Sequence, residues 1–198
     1  CRPERVLYLP TGAALGRIWP IPLAEARDKL GIPQDRRMIG SVGTLKQEEF
    51  QIVMAALQKI PDLWFMAIGQ ESPMVLRLAH SFGVADRVWQ TGFVPDNEIG
   101  PYLACADILV LPLIDCAANR GRLPNKILDY MAAGRPIVAS PVGDVDMILR
   151  QGEVGLAADD EGFAQAIELL MDSASLREDI GHRARAMAET RFNWSALT

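Results

Sequence analysis

From Met38 onward the chain alternates between short, almost unbroken apolar runs and longer stretches whose apolar residues recur at helical spacing. Leu63-Trp64-Phe65-Met66-Ala67-Ile68 and Ile108-Leu109-Val110-Leu111 show no polar alternation, which is the pattern of parallel strands covered on both faces. Similar runs predict strands over residues 38–42, 63–68, 87–90, 107–111 and 136–139. Between them, Phe50, Val53, Leu57 and Ile60 keep helical spacing, as do Val75, Leu78 and Phe82. Phe163, Ala166, Ile167, Leu170 and Met171 predict a later helix capped by Asp159 or Asp160. Leu176, Ile180, Ala184 and Met187 predict a last one capped by Ser173. Such βα alternation predicts an α/β fold: a doubly wound parallel sheet with helices on both faces, Rossmann-like.

The first 36 residues read differently. Residues 5–9 suggest a short strand, Trp19-Pro20-Ile21-Pro22 a linker or surface loop, and residues 25–30 a short helix before Gly31-Ile32-Pro33. The chain is therefore divided into a leading segment, 1–36, packing on a domain over 37–198 that includes the C-terminal helices.

Composition narrows the classes. With 198 residues, 49% hydrophobic and 23% charged, the chain can bury a substantial core. A net charge of −5 disfavours non-specific nucleic-acid binding, which needs a basic face. Cys1, Cys105 and Cys116 form no C-x-x-C pair, so neither a disulfide framework nor a zinc site is expected, and free thiols suit a cytoplasmic setting. No apolar run approaches the roughly 18 residues of a membrane span, and no signal-peptide core follows the first residues. The chain does not begin with methionine, which suggests a part excised from a longer protein.

In an open parallel sheet, ligands bind beyond the carboxyl ends of the strands. That points to Gly43-Thr44-Leu45-Lys46, Gly69-Gln70-Glu71, Thr91-Gly92-Phe93-Val94 and residues 112–124. The last loop runs into Asn119-Arg120-Gly121-Arg122-Leu123-Pro124-Asn125-Lys126, with no acid between Asp115 and Asp129. Pro124 can open a helix over 125–133 that ends at Gly134. Its free amides, beside Arg122 and Lys126, would suit a diphosphate. Asn125 and Asp129 share one face, where a carboxylate can hold a ribose diol. The plainer alternative is a solvated charge run in which Asp129 pairs with Lys126 or Arg122.

Other candidates carry less. His80 and His182 fall on predicted helices without a partner histidine. Thr11-Gly12-Ala13-Ala14-Leu15-Gly16 lacks the G-x-G-x-x-G spacing, and Pro20 and Pro22 would break the helix that must follow. No G-x-S-x-G occurs.

The stretch from Pro124 to Ser140, PNKILDYMAAGRPIVAS, resembles the signature of family 4 glycosyltransferases of the GT-B fold. Val6-Leu7-Tyr8-Leu9-Pro10-Thr11-Gly12, Thr91-Gly92-Phe93-Val94, Tyr102-Leu103-Ala104-Cys105-Ala106-Asp107 and Phe192-Asn193-Trp194 are similar to further landmarks in the same order. The resemblance implies the donor-nucleotide half of a retaining sugar transferase of polysaccharide biosynthesis. Gly92, Phe93 and Val94 would meet the base, Asp129 the ribose, and the amides near Asn125 and Lys126 the diphosphate. Gly43, Lys46, Arg120 and Arg122 would complete the donor site. It implies no cofactor and no metal, since cations and helix amides supply the charge. The acceptor and any acceptor-side catalytic residue would belong to an N-terminal domain, through which alone a membrane would be met. Two departures stand out. Gly121 lies eight positions before Asp129, where the family often has a first glutamate, and Asp129 itself is shorter than the usual glutamate. A nucleotide- or sugar-phosphate-binding module without catalysis, or a GT-B epimerase or phosphorylase, are the alternatives.

Overall fold

A computed structural model describes residues 10–197. The expected strand over 5–9 and Cys1 lie outside the described residues. The elements run α1 (Leu23–Leu30), β1 (Arg37–Val42), α2 (Gln47–Lys59), β2 (Leu63–Ile68), α3 (Pro73–Ser81), β3 (Val88–Gln90), α4 (Ile99–Ala104) and β4 (Ile108–Leu111). They continue as α5 (Ala117–Arg120), α6 (Asn125–Ala132), β5 (Ile137–Ala139), α7 (Gly143–Gly152), β6 (Gly155–Ala157), α8 (Phe163–Met171), α9 (Ala174–Arg191) and α10 (Trp194–Leu197). The strands form one six-stranded parallel sheet in the order β3-β2-β1-β4-β5-β6.

Strand alternation sorts the core into two layers. Ile39, Phe65, Ile108, Val110 and Val138 face one way, against α2, α3 and α8. Met38, Met66, Leu109, Leu111 and Ile137 face the other, against residues of α4, α6, α7 and α9. Both faces are buried, which explains the lack of polar alternation in the strands.

The structure corrects several sequence expectations, and it leaves Arg87 and Pro136 just outside the strands expected to begin with them. β6 was not anticipated, because Gly155-Leu156-Ala157 is a three-residue, half-buried edge strand with no apolar run to announce it. Neither Asp159 nor Asp160 caps α8. Gly162 holds that position without a side-chain bond, while Asp159 Oδ1 accepts from the Gly162 amide in the preceding turn. Asp107 is not a strand residue: its carboxylate accepts from the Met38 amide at 2.8 Å and from Arg27 at 2.8 Å. Ser173 does cap α9, accepting from the Leu176 amide.

Arg27 is almost wholly buried and also donates to the carbonyls of Cys105 and Gln34. Each guanidinium nitrogen of Arg27 has a defined partner, so α1 is fastened to the amino ends of β1 and β4.

The carboxyl ends are joined differently. The Cα register of β1 with β4 covers Ile39 with Ile108 and Gly40 with Leu109, and stops there. Tyr130 of α6 enters the gap. Its fully buried hydroxyl accepts from the Val42 amide of β1 at 3.0 Å and donates to the Val110 carbonyl of β4 at 3.3 Å. Ser41 Oγ lies 3.1 Å away and completes its bonds as a donor. Burial pushes the phenol up to about 12. Tyr130→Phe strands the Val42 amide in the interior, so we expect a loss of about 1–3 kcal/mol by urea denaturation. Unchanged stability would show that these bonds contribute nothing net.

Candidate functional site

In the observed strand order, neighbouring connections leave in opposite directions from β1 and β4, which places the topological switch point between them. α6 begins over that crevice. Pro124 sits before its first residue with φ −66° and ψ 124°, and Gly134 ends it at φ 65°. The Arg135 amide reaches back to the Tyr130 carbonyl, a Schellman closure. Both expected boundaries of this helix therefore hold. Its first turn adjoins the loop after β1, where Lys126 Nζ reaches the Thr44 carbonyl.

Two glycines in the loops after β1 and β3 are forced choices. Gly43 (φ 73°) and Gly92 (φ 74°) adopt left-handed backbone, and a Cβ on either would meet open space. Glycine is there for conformation, and it leaves the backbone open to a ligand. Phe93 is 82% exposed, whereas Val94 turns into the core at 7%. Only the backbone of Val94 could meet a base. A cavity of about 260 Å³ opens beside the crevice among Gly43, Thr44, Gly69, Gln70, Ser72 and Gln90, and neither Lys126 nor Asp129 lines it.

The predicted cations differ in state. Lys126 Nζ donates to the Thr44 carbonyl at 3.2 Å, tying α6 to the β1 loop. Burial lowers its ammonium to about 8, with Glu49 opposing that shift and Arg122 adding to it. Arg122 is exposed, and its Nε donates to Asn119 Oδ1 at 2.9 Å. Asn119 is buried and also holds the Ile114 carbonyl, which gives the loop before α6 an internal brace. Arg120 is committed within that loop, with a bidentate pair to Asp115 at 2.5 and 2.7 Å. Its charge is largely answered before any ligand arrives. Lys46 is exposed at the start of α2.

Asp129 pairs with neither Lys126 nor Arg122, which argues against the solvated-face alternative. Burial pushes its carboxyl up to about 6; Arg17 pulls it down and Asp96 pushes it up. Asn125 lies one turn earlier, and Thr11 Oγ1 approaches its Oδ1 at 3.4 Å.

Sequence reasoning missed four participants. Glu49 is buried, its Oε2 accepting from the Lys46 amide while Oε1 has no partner among the described residues. Arg17 and Asp96 form a 2.6 Å ion pair, and Tyr130 frames the crevice. Arg17 lies in a glycine- and proline-rich stretch, and Asp96 opens a three-residue 3-10 turn, so neither carried a periodic signal. Glu49 could have been found, as a glutamate three residues into α2 is a familiar capping position. Among the described residues, no three His, Cys, Asp or Glu side chains converge as a metal site. No helix there is long and apolar enough to cross a membrane.

Residues 36–173 match the glycosyl transferases group 1 family. The chain belongs to that family. This glycosyl transferases group 1 domain is 31% identical over 203 residues to the lipopolysaccharide core biosynthesis glycosyltransferase LpsE of Rhizobium meliloti (strain 1021), covering all of this chain and 56% of LpsE. Its fold is shared with sucrose-phosphate synthase from Thermosynechococcus elongatus, with a TM-score of 0.84, 24% identity and coverage of 96% and 49%. It is shared too with Anabaena HepE in complex with UDP and glucose, with a TM-score of 0.81, 20% identity and coverage of 99% and 55%. The domain thus has the architecture of one Rossmann-like half of a GT-B fold, and it spans about half the length of the relatives it matches.

The raised Asp129 carboxyl has a measurable consequence for stability. Folding favours its protonated form, so the cost of ionising it grows as pH rises from about 4 through about 6. A shift of roughly two units corresponds to as much as about 3 kcal/mol. Asp129→Asn should therefore stabilise the chain at pH 7.5 and leave it unchanged at pH 3.5, measured by urea denaturation. A loss at pH 7.5 would mean that the carboxylate makes net stabilising bonds.

Proposed function

We propose that this chain is the donor half of a retaining glycosyltransferase. It binds a nucleoside diphosphate sugar, and the whole protein transfers the hexose to a sugar or lipid-linked acceptor held by an N-terminal domain. What carries this proposal is the start of α6: free amides over the switch-point crevice, Lys126 and Arg122 beside them, and Asp129 one turn inside. The α6 amides and Lys126 take the diphosphate, assisted by Arg122 and Lys46. Asp129 accepts from the ribose hydroxyls, and the base lies against Gly92, Phe93 and the Val94 backbone. Negative charge developing on the leaving phosphate is stabilised by the same cations and amides, in place of a metal. The UDP held by HepE and the lipopolysaccharide role in the name of LpsE support an enzyme of polysaccharide assembly. Gly121, which closes α5 where the family often carries its first glutamate, favours one other reading: a module that binds the nucleotide without catalysis. Turnover by the full-length protein separates the two.

Calorimetric titration of UDP, GDP and ADP into this chain tests the donor site. Charge-assisted bonds contribute about 1.5–3 kcal/mol each, so Lys126→Ala and Arg122→Ala should each weaken diphosphate binding about tenfold or more. Arg120→Ala should do less, because Asp115 already neutralises it. EDTA should change nothing. Affinity should be greatest between the Asp129 and Lys126 titrations, at about 6 and about 8. If both alanine variants bind like the parent chain, or EDTA abolishes binding, the site is wrongly placed.

This chain alone should not transfer sugar, because one wall of a cleft cannot exclude water from the reacting centre. Release of UDP coupled to glycoside formation by these 198 residues would contradict that.

A further inference from the structure

A second and larger cavity, of about 640 Å³, lies at the amino ends of β4 and β5, away from the ligand edge. It is lined by the Gly134-Arg135-Pro136 turn after α6, by α9 and by the leading stretch Pro20-Ile21-Pro22-Leu23. Its walls are closely fitted. A Cβ at Gly181 of α9 would fall 2.4 Å from the Gly134 carbonyl oxygen, and one at Gly134 would meet Pro20 at 3.3 Å.

Arg135 reaches this cavity as a cation without an anion. Its Nη2 donates to the carbonyls of Ile21 and Ala104, which fixes the plane of the guanidinium. Its Nε is buried, and among the described residues neither Nε nor Nη1 has an acceptor. The neighbouring acids are engaged elsewhere or lie at the rim. Asp107 lines the same cavity, but its carboxylate is held by Arg27 at 2.8 Å and by the Met38 amide. Glu189 pairs with Arg185 at 2.6 Å, and Glu178 is exposed on α9. Arg27 and Arg135 thus stand beside one buried carboxylate, an excess of one positive charge. A guanidinium drawn out of water without a counter-ion is costly, and burial brings that of Arg135 down to about 10 although Asp107 opposes the shift.

We propose that this cavity binds a small organic carboxylate with an apolar body, its charge held by Arg135. An excess of one charge suits a monoanion. Asp107, Glu178 and Glu189 along the lining would repel further negative charge, so a nucleoside diphosphate is the wrong occupant. Arginine donors match a carboxylate in geometry as well as in charge. Pro20, Ile21, Pro22, Leu23 and Pro136 supply apolar surface for the rest of the molecule, and the volume is that of a small-molecule site. The cavity adjoins the end of α6 and the donor crevice its start, so the proposal does not depend on the donor reading.

Benzoate is the probe, titrated into this chain and followed by 15N–1H NMR. Benzyl alcohol is its uncharged counterpart, and acetate is the carboxylate without the apolar body. Benzoate should give saturable shifts at Leu23, Gly134, Arg135 and Gly181, with a Kd of about 10 mM or tighter, while the Asn125 and Lys126 amides barely move. Benzyl alcohol should bind about tenfold more weakly or worse, for want of the charge-assisted bonds. Acetate should also bind more weakly, because it leaves the proline wall uncovered. Arg135→Met should weaken benzoate about tenfold or more. That variant also loses the bonds to Ile21 and Ala104, so Ala186→Trp, at an exposed lining position of α9, serves beside it. It should obstruct benzoate with the circular dichroism and urea midpoint of the parent chain. No saturation in the parent chain by about 50 mM benzoate, equal affinity for benzoate and benzyl alcohol, or benzoate shifts centred on Asn125 and Lys126 would each overturn the proposal.

Discussion

Where β1 and β4 part company at the carboxyl edge of the sheet, a single phenol takes over their pairing. Tyr130 bridges the Val42 amide to the Val110 carbonyl, so the gap that opens between the strands is closed at its floor and open at its mouth. A gap without that bond would leave a buried amide unpaired or let the strands collapse together. Because Tyr130 lies on α6, the same bond fixes the height and rotation of the helix over the crevice. Asn125, Lys126 and Asp129 therefore arrive at the mouth as a set, placed by a residue that never touches the ligand edge itself.

The electrostatics of the mouth follow from its partial burial. Lys126 and Asp129 are each held in surroundings that disfavour their charged forms, one brought down to about 8 and the other up to about 6. A diphosphate would repay the first by pairing with the ammonium, and ribose hydroxyls the second by solvating the carboxylate. On the donor reading proposed above, a molecule carrying both groups would relieve both penalties at once, which would make binding selective for it. Arg120, though in the middle of the basic run, is excluded from this by Asp115.

Much of the frame was legible in the sequence. Apolar runs such as 63–68 revealed strands buried on both faces, and Pro124 and Gly134 marked the two ends of α6, since each acts through its own backbone restriction. The basic run before α6 and the carboxylate one turn inside the helix pointed to the crevice proposed here as the donor site. Less was legible wherever a role depends on a partner far along the chain. Tyr130 read as one more apolar helix residue, because only the tertiary fold reveals which backbone groups its hydroxyl must satisfy. Arg17 reaches Asp96 across 79 positions, and nothing local announces that meeting. β6 failed for the opposite reason, being too short and too exposed at the sheet edge to leave any pattern.

The central claim is that the ligand edge lies at the α6 start between the loops after β1 and β3. An amide 15N–1H NMR titration of this chain with UDP maps it most directly. The account predicts that the largest shifts fall on Gly43, Lys46, Gly92, Phe93, Asn125, Lys126 and Asp129, fading toward the amino ends of the strands. Shifts centred instead on Arg135, His182 and the opposite edge of the sheet would contradict it.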